Sequence, residues 1–98
     1  MEVIFRHAEL ERLELDVGFD GAHGVEVVRA FRKLMQYIRA AVDERDFYAR
    51  KSLHYEKLLG AKAHYRSMRL NQKWRLIVAI ERERDAKTVA IIRIENYH

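Results

Sequence analysis

The sequence predicts an α+β domain in which helices come first and an antiparallel meander of strands follows. Apolar residues recur at helical spacing between positions 25 and 42, and three runs rich in β-forming residues occupy positions 64–94. A segment with three glycines, positions 17–24, separates the first predicted elements from the long helix. With 98 residues, the chain has room for one domain, residues 1–98, and one main core.

The first half predicts one strand and two helices. The short apolar run at 3–5 predicts a strand, and Ala8–Leu15 predicts a short helix. After the glycine-containing loop, the apolar positions recur every three or four residues, with charged residues mostly between them. This pattern predicts an amphipathic helix that begins at Val25 and ends near Asp43.

The second half predicts strands at 64–70, 74–81 and 87–94. The connectors at 71–73 and 82–86 are short enough for successive hairpins. We expect these three strands and the N-terminal strand to form a curved antiparallel sheet, with the two helices packed on one side of it.

Alternation along the strands assigns side chains to the two faces of the predicted sheet. Met68, Leu70 and Leu76 share the face that we expect to meet the helices. Arg69 and Arg75 then project together from the opposite face. A single arginine on a strand is most often part of a solvated surface, but a pair on adjacent strands can hold phosphate oxygens.

Positive charge is concentrated between Arg50 and Arg75. This stretch holds eight lysines and arginines against one acid, Glu56, a local charge of +7 in a chain whose net charge is +4. Such segregation produces a face of positive potential that attracts polyanions. Nucleic acid is therefore the expected partner.

Composition excludes several other classes of protein. The chain is 49% hydrophobic and 35% charged, which argues against a disordered chain, and its longest apolar run, residues 76–80, is too short to span a membrane. The chain has no cysteine, so disulfides and thiolate metal sites are excluded, and the spacing of the histidines predicts no metal site. The first residues lack the apolar core of a signal peptide, so we expect a cytoplasmic protein. We also expect no cofactor.

Four separated segments resemble the signature of the RelE/ParE toxin superfamily. They are Leu-His-Tyr-Glu-Lys-Leu-Leu-Gly at 53–60, Tyr-Arg-Ser-Met-Arg-Leu-Asn at 65–71, Trp-Arg-Leu-Ile at 74–77 and Ile-Glu-Asn-Tyr-His at 94–98. The last segment is similar to the end of the HigB branch, the plasmid maintenance killer proteins. The resemblance covers about the last half of the chain.

The resemblance implies a toxin of a bacterial type II toxin-antitoxin system. HigB-type toxins enter the ribosomal A site and cleave messenger RNA there without a metal, and so inhibit translation. A cognate antitoxin would neutralise the protein by covering the cleft or by packing on the two helices. The implied partners are therefore this antitoxin, mRNA and the ribosome.

The reaction implied by the resemblance assigns roles to particular residues. Arg75 and Arg69 would stabilise charge on the phosphorane, and Tyr97 and His98 would handle protons. The remaining candidates, which would bind RNA, are Lys57, Lys62, Arg66, Lys73, His54 and Asn71.

Two departures from the family's pattern keep alternatives open. Leu59 stands where the family has a lysine, and Asn96 stands where it has an aspartate. Glu95 is adjacent, but alternation directs it to the other face of the strand from Asn96. The alternatives are a ParE-like DNA gyrase inhibitor without nuclease activity and a catalytically inactive module that binds RNA or antitoxin.

Overall fold

The computed structural model describes residues 1–83 and 86–96. In these residues it contains three α-helices, which are α1 (Ala8–Leu15), α2 (Val25–Ala40) and α3 (Arg45–Ala49). It also contains five strands, which are β1 (Glu2–Phe5), β2 (Glu56–Lys57), β3 (Tyr65–Arg69), β4 (Trp74–Glu83) and β5 (Ala86–Asn96). Single 3₁₀ turns cover Lys51–Leu53 and Gly60–Lys62.

Helix α2 packs on the sheet through the apolar stripe that the sequence predicts. Phe31, Met35 and Ile38 on this stripe are fully buried. Arg32 fixes the loop before the helix, since its guanidinium donates to the carbonyl oxygens of Leu13 at 3.0 Å and Phe19 at 3.0 Å. No helix within the described ranges has the length and apolar character needed to cross a membrane.

The strands form one mixed sheet in the order β1-β5-β4-β3-β2. The meander of β3, β4 and β5 is antiparallel, as predicted, whereas β1 pairs with β5 in parallel. The expectation of a wholly antiparallel sheet is therefore wrong at this edge. Three helices and the strands β2, β3 and β4 separate β1 from β5, so no tight turn constrains their relative direction. Strand β2 and helix α3 are additions that the sequence pattern did not predict.

Both faces of the sheet carry buried apolar side chains. Leu76 and Met68 face the helices in the main core, as predicted. On the other face, Ile77 and Ala79 form a second buried cluster, against which Leu58 packs. The expectation of an open outward face is therefore wrong for the middle of the sheet, where Ile77 is only 2% exposed. Polar side chains on this face are displaced toward the end of the sheet, where β5 ends.

Candidate active-site cleft

A cleft of about 260 Å³ opens at this end of the sheet. One wall is the segment between β2 and β3, and the other consists of side chains from β3, β4 and β5. Its lining residues are Leu58, Leu59, Lys62, Ser67, Arg75, Ile77, Glu95 and Asn96. Two of the predicted RNA-contacting residues, Arg75 and Lys62, therefore face the same space.

Strand register places a row of charged residues across the sheet at this end. Arg75 on β4 is directly opposite Arg69 on β3 and Glu95 on β5. Directly opposite residues share a face, so the carboxylate of Glu95 lies on the same side as Arg75. A guanidinium nitrogen of Arg93 lies 3.7 Å from a Glu95 oxygen. Asn96 also lines the cleft, because the cleft lies at the end of β5. Alternation along β5, which puts Glu95 and Asn96 on opposite faces, therefore does not exclude Glu95 from the cleft.

Ser67 contributes a buried hydroxyl to the cleft. Its side chain is 1% exposed, and within residues 1–83 and 86–96 its Oγ atom has no hydrogen-bond partner. A buried hydroxyl without a partner costs about 1–3 kcal/mol. An acceptor-rich ligand in the cleft would recover this free energy once a local shift exposes the buried hydroxyl. Alternation predicts the face on which Ser67 lies, but it does not show that the Ser67 hydroxyl lacks a hydrogen-bond partner. Ser67 was therefore not among the predicted site residues.

Glu56 supplies a second carboxylate on the same face. It lies directly opposite Ser67 on the edge strand β2, and its side chain is exposed. Glu56 and Glu95 thus lie on either side of Ser67 and Arg75 across the sheet. In the sequence, Glu56 stands out only as the one acid of the basic stretch, and no pattern there marks it as a site residue.

Arg69 does not line the cleft with Arg75, although the two residues are paired in register. Its side chain turns around the edge of β3, where Nη1 lies 3.1 Å from Nε2 of His54. A guanidinium can only donate, so a hydrogen bond between the two side chains requires Nε2 as its acceptor. His54 adopts a left-handed backbone conformation with φ of 47°, which is uncommon outside glycine. The expected arginine pair is therefore divided between two depressions.

Arg66 lies on the opposite face of β3 from Arg69. Its Nε atom is 3.7 Å from a carboxylate oxygen of Glu44, which also accepts a hydrogen bond of 2.8 Å from the hydroxyl of Tyr55. Burial, together with this bond, raises the pKa of the Tyr55 phenol above its ordinary value. These contacts place Arg66 in a structural network on the helix side. Lys57 is its exposed neighbour on β2.

Asn71 and Lys73 belong to the turn between β3 and β4. The Asn71 side chain accepts from the backbone N–H groups of Lys73 at 2.8 Å and Trp74 at 2.9 Å, which closes the turn. Lys73 is exposed there, away from the cleft lining. The predicted catalytic residues Tyr97 and His98 lie outside the described residues.

The described side chains contain no group of three or more histidines, aspartates and glutamates arranged to hold a metal ion. The arrangement that they do form is a cationic cleft with a buried hydroxyl and two flanking carboxylates. Such a cleft can bind a phosphodiester and transfer a proton beside it.

Comparison with known proteins supports the fold. No family model and no curated protein sequence matches the chain. Among solved structures, it is similar to a YoeB/ParE toxin from Agrobacterium tumefaciens, with 15% identity, a TM-score of 0.60 and complete coverage of both chains. It is also similar to YafQ from Escherichia coli strain BL21(DE3), with 13% identity and a TM-score of 0.59 over 97% of this chain and 91% of that one. At these identities the likeness is one of fold, an α+β domain with helices packed on a five-stranded mixed sheet.

Proposed function

We propose that the protein is the toxin of a type II toxin-antitoxin system and cleaves mRNA in the ribosomal A site. The observation that carries the proposal is the convergence of Arg75, Lys62 and the unsatisfied hydroxyl of Ser67 in one cleft, with carboxylates beside them. The fold likeness to a YoeB/ParE toxin supports the toxin assignment. The terminal segment supports the HigB branch within that superfamily.

The proposed reaction is attack of a ribose 2′-oxygen on the adjacent phosphorus. The oxygen–phosphorus bond forms, the bond to the 5′-oxygen breaks, and a 2′,3′-cyclic phosphate remains. Arg75 stabilises the additional negative charge of the phosphorane with its fixed fork of donors. Lys62 adds a second positive charge, and Ser67 donates to a phosphate oxygen.

Proton transfer requires an acceptor at the 2′-hydroxyl and a donor at the 5′-oxygen. Glu56 and Glu95 are the described carboxylates on this face that can accept the proton. We assign the donor role to Tyr97 or His98, because phenol and imidazole can both supply a proton near neutral pH. No metal is required, because the cationic side chains stabilise the charge.

The antitoxin is proposed to cover the cleft or to pack on α1 and α2. An exposed groove beside α2 suits the second mode, since it is lined by Val17, Phe19 and Val25 together with Arg29 and Lys33. An antitoxin segment with apolar and acidic side chains would complement this surface. The proposed site of action is the cytoplasm, where ribosomes and mRNA are found.

The experiment that tests this function is induction of the protein in a bacterium without antitoxin. Growth should stop, and mapping of mRNA 5′ ends on stalled ribosomes should show cuts at a fixed position in the A-site codon. Intact message with DNA gyrase trapped on DNA would overturn the proposal in favour of the ParE-like alternative. Arrest without either effect would leave the binding-module alternative.

A further inference from the structure

Three cations converge in a second depression, which we call the edge pocket. It lies between helix α2 and the exposed edge of β3, and has a volume of about 210 Å³. Its cationic lining residues are Lys33 on α2, Arg50 after α3 and Arg69 on β3. The other residues that line it are apolar or uncharged, namely Ala30, Leu34, Tyr37, Ser52, Leu53 and Leu70.

The side chains of the edge pocket are held in place. The Arg50 guanidinium lies over the ring of Tyr37, with Cζ 4.6 Å from the centroid, and its Nε donates to Ser52 Oγ at 3.4 Å. Arg69 donates through Nε to the carbonyl oxygen of Asn71 at 3.3 Å and through Nη1 to His54. Each contact engages only part of a guanidinium, which has five N–H donors, so donors remain for a ligand.

The charge of the edge pocket is not balanced locally. No carboxylate is among its described lining residues, so mutual repulsion of the three cations favours a bound anion. The volume corresponds to about seven water molecules at about 30 Å³ each, enough for a phosphate group with part of its hydration shell. Arginine and lysine around a small polar depression are the groups that bind phosphate.

We propose that the edge pocket binds a backbone phosphate of a single-stranded RNA whose scissile phosphate occupies the cleft. This inference rests on the proposed function. It follows from register, because Arg69 in the edge pocket is the direct cross-strand partner of Arg75 in the cleft. The two depressions share no described lining residue, but their arginines are neighbours on β3 and β4, so one polyanionic strand that occupies both would turn around the edge of β3. A row of cations that follows a backbone is typical of single-strand binding.

The test measures binding of a short RNA with 2′-O-methyl riboses, which lacks the nucleophilic hydroxyl, at several salt concentrations. Lys33→Gln, Arg50→Gln and the double variant are compared with Arg82→Gln, a matched loss of one charge near the far end of β4. Each edge-pocket variant should weaken binding and reduce the slope of log affinity against log salt by about 0.7 for each contact removed. Arg82→Gln should change neither beyond the small effect of net charge.

Several outcomes would overturn the inference. Equal losses in the edge-pocket variants and in Arg82→Gln would mean that only net charge matters. If the edge-pocket variants bind RNA like the wild type but bind inorganic phosphate more weakly, the edge pocket is a site for the free phosphate ion. If these variants bind RNA like the wild type but no longer bind polyglutamate, the edge pocket is a site for an acidic protein. Lys33 is exposed, so its variant remains informative if Arg50→Gln loses stability with its Tyr37 contact.

Failure of this inference can be separated from failure of the proposed function. If the wild-type protein cuts ribosome-bound mRNA but the edge-pocket variants bind RNA normally, only the edge pocket is refuted. If the wild-type protein cuts no mRNA, the cleavage proposal fails. The salt dependence of binding would then still show whether the pocket holds a phosphodiester.

Discussion

Replacing Arg75 by alanine removes the guanidinium that we place on the scissile phosphate. Arg75 is half-buried and lines the cleft together with Lys62 and the buried Ile77. Removal of one preorganised donor to a developing negative charge lowers kcat by about 10²–10³, or about 2.7–4 kcal/mol. We expect a loss of this size, because Lys62 still supplies one positive charge to the phosphorane.

Arg75→Lys separates charge from geometry. Lysine keeps the positive charge but loses the planar fork that binds two phosphate oxygens. We expect its rate to fall by about tenfold, between the wild type and the alanine variant. Arg82→Ala removes an exposed arginine from the same strand and should leave the rate unchanged.

The assay is single-turnover cleavage of mRNA bound in the ribosomal A site, with thermal unfolding measured on the same preparations. Arg75 is half-buried and takes part in an interaction in the folded protein, so we expect Arg75→Ala to lose about 0.5–3 kcal/mol of stability, and thermal unfolding shows whether the variant is folded under the assay conditions. A folded Arg75→Ala protein that cleaves within about threefold of the wild-type rate would refute the proposed role of Arg75, since threefold corresponds to under 1 kcal/mol.

Three further predictions concern the groups around the cleft and the network behind it. One of the two carboxylates, Glu56 or Glu95, accepts the 2′-hydroxyl proton in the proposed reaction. Replacing that residue by glutamine should lower kcat by about 10²–10⁴ and remove the acid limb of the pH–rate profile. Normal rates in both glutamine variants would contradict this assignment. Ser67→Ala should raise Tm, because it removes a buried hydroxyl without a partner, while weakening RNA binding; a lower Tm with normal cleavage would refute the contact. Tyr55→Phe should cost about 1.5–3 kcal/mol in urea unfolding near neutral pH, because it removes a hydrogen bond to the carboxylate of Glu44. The raised pKa of Tyr55 means that above about pH 10 the unfolded chain ionises before the folded one, so the wild type should lose stability there and the difference from Tyr55→Phe should shrink; a constant difference would contradict the raised pKa.

Local patterns were sufficient to predict most of the elements. Helix α1 has the predicted bounds, and the three strands of the meander differ from prediction by no more than two residues at either end. Apolar periodicity and alternation depend on neighbouring residues, so one sequence is enough to detect them. The same alternation correctly placed Met68 and Leu76 in the main core, and Arg69 and Arg75 on the same face of adjacent strands.

The features that the sequence did not reveal depend on distant contacts. Strand β2 is two residues long and exists because Glu56 and Lys57 meet β3, a pairing with no periodic signal. The second apolar cluster was missed because alternation shows the face on which Ile77 lies but not what covers that face. Arg69 was assigned to the cleft because alternation gives the face of its Cα atom but not the direction of its side chain, which turns toward His54.

The second apolar cluster also explains why the candidate site lies at one end of the sheet. Between Ile77 and Val78 the pairing of β4 with β5 shifts by one residue, so Arg93 and Glu95 resume the outward face beyond the buried Ile92. On this face, charged residues therefore begin where the second apolar cluster ends. A phosphate held there lies against a surface of low dielectric on one side, which strengthens its attraction to Arg75 relative to a fully solvated arginine. Replacing Ile77 by a polar residue should therefore weaken cleavage as well as stability, although Ile77 need not touch the reacting atoms.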